Sequence, residues 1–101
     1  MNKIIIFKQP NHMCRPCGTL SAILEEDLEV TADIVVDVTT GQAKGLDGEP
    51  LTDVDGFELA GKYGVMATPV TLLVDGEGNV IQDVRGLPQR QVLIDMFEQR
   101  G

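Results

Sequence analysis

Three consecutive isoleucines near the N-terminus, Ile4 to Ile6, constrain the fold of this chain more than any other run. The stretch Lys3–Phe7 is short, β-branched and almost continuously apolar. That is the pattern of a strand buried on both faces, as in the middle of a parallel sheet. The segment Gln9–Met13 contains Pro10 and Asn11 and reads as a loop. From Arg15 to Leu28 the period becomes helical, with Leu20, Ile23, Leu24 and Leu28 on one stripe and Glu25, Glu26 and Asp27 largely elsewhere. Pro16 falls in the first turn, where a missing N–H costs nothing. Asp33–Val38 is a second strand. Strand, helix and strand in succession make a βαβ unit, which predicts parallel strands joined by a right-handed crossover.

Residues 39–52 hold Gly41, Gly45, Gly48 and Pro50 and show no period, so they read as a long loop or a mobile insertion hiding at most a short element. Asp55 and Glu58 have the spacing of a capping box. They predict a short helix that turns Phe57, Ala60 and Tyr63 inward and ends at Gly64. Val70–Val74 is another buried strand, Asp75–Asn79 a hairpin turn, and Val80–Arg85 the returning strand. A last helix, Pro88–Arg100, buries Val92, Leu93, Met96 and Phe97. The predicted order is β-α-β-α-β-β-α: one α/β domain over residues 1–101, with a four-stranded mixed sheet and helices on both faces. With only 4% aromatic residues and no tryptophan, its core must come from aliphatic side chains.

Sixteen acidic residues against eight basic ones give a formal charge of −8, which argues against nucleic acid and against an anionic membrane surface. The charge reads as a solubility device. No apolar run is long enough for a membrane span or a signal peptide, so a cytoplasmic monomer is the expectation.

A reducing compartment makes a lasting structural disulfide unfavourable. Cys14 and Cys17 also enclose so short a loop that a bridge would restrict the unfolded chain little. The spacing Cys14-Arg15-Pro16-Cys17, after a strand and at the start of a helix, instead reads as a redox motif. A helix N-terminus favours a thiolate, so Cys14 is expected at an exposed helix end. A second thiol one turn on can attack a mixed disulfide without rearrangement. Zinc or an iron–sulfur cluster is the competing use, but two thiolates and His12 leave a closed site one ligand short. Lys8 and His12 read as solvated loop charges, and Arg15, between the cysteines, as a modest electrostatic influence. Asp37 is a strand-end acid, and Asp53 and Asp55 are helix-cap acids. Met13, Met66 and Met96 read as packing, with Met13 and Met66 able to form a soft apolar surface beside the cysteines.

With these residues in place, the sequence resembles the thioredoxin/glutaredoxin superfamily over nearly its whole length. The resemblance rests on Cys14-Arg15-Pro16-Cys17 after the first strand and on the run from Asp53 to Leu73. Within that run, Leu59-Ala60-Gly61-Lys62-Tyr63-Gly64-Val65 leads to Thr68-Pro69. It implies a minimal thioredoxin fold, with Cys14 as the attacking cysteine and Cys17 as the resolving one. Pro69 matches the family's cis-proline, and Thr68 would offer its backbone to an extended substrate. Gly86 matches a small residue near the site, and Arg15 and Pro16 would border the substrate. There are departures. Met13 stands where thioredoxins carry tryptophan, Arg15 replaces glycine, and counting back to the position of the usual buried acid reaches Lys8. The glutaredoxin tyrosine between the cysteines is absent, as is a recognisable glutathione patch.

The implied activity is thiol–disulfide exchange on protein disulfides, with no bound cofactor and a Cys14–Cys17 disulfide recycled by an NADPH-dependent thioredoxin reductase or by glutathione. Ribonucleotide reductase is one client the resemblance suggests. The competing expectations are a partner-binding module without redox turnover, a glutathione-coupled glutaredoxin, and metal carriage.

Overall fold

The apolar N-terminal run forms β1, Lys3–Lys8. In the computed structural model, which describes residues 1–101, it occupies the centre of the sheet. Ile4 to Phe7 are all buried, so neither face of β1 meets water. β2, Ile34–Asp37, lies parallel to it, with Ile5 opposite Ile34 and Lys8 opposite Asp37. β4, Val70–Val74, runs antiparallel on its other side, and β5, Val80–Arg85, closes that edge.

The sheet has five strands rather than the expected four. Within the unreadable stretch, Ala43–Lys44 forms β3, which pairs antiparallel with β2 and gives the order β3-β2-β1-β4-β5. The turn into it relies on Gly41, whose φ is +77°, and on a bond from the Asp37 N–H to the Gln42 carbonyl. A two-residue strand has no period, and its pairing depends on β2, so nothing local announced it.

Helix α1 covers Arg15–Ala22 and continues as a π-helical stretch over Ile23–Leu28, not as one regular α-helix to Leu28. The wider turns end where Glu29 takes a left-handed conformation and donates to the Leu24 carbonyl. Helix α2 is Gly56–Lys62 and helix α3 is Arg90–Glu98, shorter at both ends than expected. Ile4 and Ile6 pack with Leu20, Leu24, Leu93 and Met96 beneath α1 and α3. Ile5, Phe7, Val36 and Leu72 form the second layer, beneath α2.

Phe57 corrects the expectation for α2: it is 55% exposed, while Ala60 and Tyr63 are half-buried. Asp55 caps the helix alone, its carboxylate accepting from the Phe57 and Glu58 N–H groups, and Asp53 plays no part in the cap. The capped geometry brings Gly56 rather than Phe57 against the sheet. The Gly56 N–H donates to the Gly41 carbonyl at 2.9 Å, and a Cβ on Gly56 would stand 2.4 Å from that oxygen. Gly56→Ala must therefore push α2 off its seat. We expect a loss of about 1–3 kcal/mol in urea denaturation, as for other overpacked sites. A variant as stable as the wild type would show that α2 is not held there.

Candidate functional site

The site forms where the loop after β1 enters α1. Cys14 is the N-cap of the helix, in an extended conformation with φ −146° and ψ 102°, and Pro16 occupies the first turn. The first backbone N–H groups of a helix have no carbonyl partner. One of them, from Cys17, donates to Cys14 Sγ at 3.3 Å. Cys14 and Cys17 are joined as a disulfide, with their Cα atoms 5.2 Å apart. The expected exposed helix end is more sheltered than that: Cys14 is 9% exposed and Cys17 is wholly buried. The shelter comes from the neighbouring loop, which covers the cap. The inequality still distinguishes the two sulfurs, since an external group can approach only Cys14.

That neighbouring loop leads into β4. The Thr68–Pro69 peptide is cis. Cys14 Sγ lies 4.0 Å from the Thr68 carbonyl oxygen and 3.8 Å from its hydroxyl. The Gln9 side-chain amide donates to the Thr68 hydroxyl at 3.1 Å and ties the loop to the end of β1. From the third side, Gly86 adopts φ +96° and donates its N–H to the Pro69 carbonyl at 2.8 Å. Folding thus gathers Cys14, Cys17, Thr68, Pro69 and Gly86. Arg15 and Pro16 flank them on the exposed first turn, where Arg15 takes part only through its carbonyl, which accepts from Thr19.

Met66 is 93% exposed and Met13 57% exposed. Beside Thr68, the residues Val38, Phe57, Val65, Met66 and Ala67 line a shallow groove of about 310 Å³. An apolar surface of this kind suits a polypeptide segment better than a small charged ligand. No cluster of three or more His, Cys, Asp or Glu side chains forms a metal-ligating group.

Lys8 is no solvated loop charge. It ends β1 half-buried, donating to Asn11 Oδ1 at 2.5 Å and to Ser21 Oγ at 2.7 Å. Burial lowers its pKa from the usual lysine range, with Lys44 acting in the same sense and Glu25 and Asp37 opposing it. Desolvation raises the Asp37 pKa, but bonds from Thr39 and Thr40 outweigh it and the net shift is downward, with Lys8 adding to it. His12 is exposed. Gln9, Asn11 and Ser21 escaped the sequence reading. The signal that could have found them was the alternation Ile4, Ile6, Lys8 along one strand face, which carries Lys8 under the helix.

No protein-family model matches the sequence, and no curated protein matches it significantly. Among solved structures, a mutant thioredoxin from Halobacterium salinarum NRC-1 superposes with a TM-score of 0.59 at 26% sequence identity. The match covers 98% of this chain and 75% of that one. The fold is thioredoxin-like. On this thioredoxin-like scaffold the paired cysteines sit at a helix N-terminus after the central strand, the position expected for a C-x-x-C redox pair. None of the helices is long and apolar enough to cross a membrane.

Proposed function

We propose that this protein is a thiol–disulfide oxidoreductase that reduces protein disulfides. One observation carries the reading: a buried backbone N–H at the start of α1 points at the sulfur of the one cysteine that an outside group can reach. The same N–H and the helix dipole favour the Cys14 thiolate once the disulfide opens. That thiolate attacks a substrate disulfide, and one substrate sulfur leaves as thiolate. Cys17, one turn along the helix, then attacks Cys14 Sγ, releasing the second substrate thiol and closing the Cys14–Cys17 disulfide. Thr68 offers an open carbonyl beside Cys14 for a short backbone pairing with the substrate strand. Arg15, Pro16, Pro69 and Gly86 border that strand.

The electrons come from an NADPH-dependent thioredoxin reductase rather than from glutathione, and the clients are proteins with accessible disulfides, ribonucleotide reductase among the candidates. The exposed methionines and the apolar groove beside Thr68 favour polypeptide over glutathione. Two coupled assays following NADPH consumption with insulin as substrate test this reading. One contains thioredoxin reductase, and the other contains glutathione with glutathione reductase. Turnover is expected in the first and little in the second. The reverse preference would place the protein with glutaredoxins, and no turnover in either would favour a binding module.

A further inference from the structure

Cys17 presents a problem that the proposed reaction must solve. Its thiol is wholly buried, and burial in apolar surroundings disfavours the thiolate that has to attack. The surrounding elements supply few charges. β4 carries no titratable residue, and α3 turns Leu93 and Met96 inward. Arg15 and His12 lie on the exposed side of the first turn and its loop. Cys14 is the partner in the reaction itself.

Lys8 is the exception. It lies on the β1 face that carries Ile4 and Ile6 beneath α1, and its ammonium donates to Ser21 Oγ at 2.7 Å. Ser21 follows Cys17 by four residues, so the two share a helix face, with Cβ atoms about 5–6 Å apart. Asn11 braces the arrangement. Its Oδ1 accepts from Lys8 and from the Ser21 hydroxyl, and its Cβ lies 3.6 Å from where a Cβ on Gly18 would be. The ammonium is thereby held at one place below the helix. A cleft of about 190 Å³, lined by Lys8, Gln9, Asp37, Gln42 and Lys44, opens it to solvent on the far side.

Resting on the redox reading above, we propose that Lys8 is a positioning residue for the resolving step, holding a fixed positive charge beneath Cys17 that stabilises its thiolate. In that step Cys17 gives up its proton to solvent and its sulfur attacks Cys14 Sγ. The bond from Cys14 to the substrate sulfur breaks, and that sulfur leaves with the electron pair. Cys17 is oxidised and the substrate sulfur reduced. Glu25, Asp37 and Lys44 surround Lys8, the two acids favouring its charged form and Lys44 opposing it.

Stopped-flow reaction of the reduced protein with 5,5′-dithiobis(2-nitrobenzoate) isolates the step. Cys14 releases the first thionitrobenzoate and Cys17 the second. We expect Lys8→Met to move the pH midpoint of the second release upward by about one unit, the lower end of the range for a nearby opposite charge. The first release should change less, and Lys8→Arg should restore the wild-type profile. Lys8→Gln removes the charge while keeping a donor, so it decides the matter if Lys8→Met does not fold. A second-phase midpoint unchanged in a folded charge-removing variant would overturn the assignment. Insulin reduction by the wild type is measured alongside. Its absence would defeat the redox reading itself, whatever the lysine variants show.

Discussion

Cys14→Ser is expected to reduce insulin reduction to the uncatalysed background, while Cys17→Ser should accumulate a covalent adduct with the substrate. The difference follows from burial. Cys14 is the sulfur that a substrate can reach, and Cys17 is wholly enclosed. Removing the accessible thiol leaves no nucleophile at the surface. Removing the enclosed one leaves the first exchange intact and blocks only the second, so the mixed disulfide persists. Mass spectrometry of Cys17→Ser after incubation with oxidised substrate should show a one-to-one adduct that dithiothreitol releases. Activity surviving in Cys14→Ser, or an adduct formed through Cys17 in that variant, would sink the assignment of roles.

The largest effect on folding is expected at Phe7. Its ring is wholly buried in the layer beneath α2, its centroid 6.3 Å from that of Tyr63 with the planes tilted by 58°. Phe7→Ala removes an aromatic side chain from a chain with only four aromatic residues, Phe7, Phe57, Tyr63 and Phe97, none better buried. The loss should be about 3–5 kcal/mol, transfer and cavity terms together. A domain of this size has only about 5–15 kcal/mol in all, so the variant should lose a large share of its stability. Ile81→Ala is the control. Ile81 is 48% exposed on β5, and its truncation should stay within about 0.5 kcal/mol. Urea midpoints of the two variants check the contrast. A small effect at Phe7 would mean that α2 closes over the gap.

Most of the scaffold was legible in the chain. The isoleucine run, the helical stripe from Leu20 to Leu28 and the Val70–Val74 run each repeat over several residues, and repetition is what periodicity detects. The candidate site was legible for a different reason. Two cysteines three residues apart, with a proline between them, carry their chemistry in local spacing. The failures share a cause as well. β3 is two residues long and owes its existence to pairing with β2. Phe57 turned outward because Asp55 and Gly56 set the start of α2 and a backbone contact at Gly41 took the inner position. Lys8 was read by its charge, whereas its place on the strand put it under the helix.

The sequence by itself determined the order of the strands and helices apart from β3, the cysteine pair and its location at a helix start, because each is a property of neighbours along the chain. Only the tertiary structure decided which sulfur an outside group can reach, that Thr68, Pro69 and Gly86 close around it, and that the Lys8 ammonium donates to Ser21 on α1. Those relations join β1, α1 and the loops before β4 and α3, segments up to some eighty residues apart. Their proximity follows from the packing of both faces of one sheet, which no local pattern encodes.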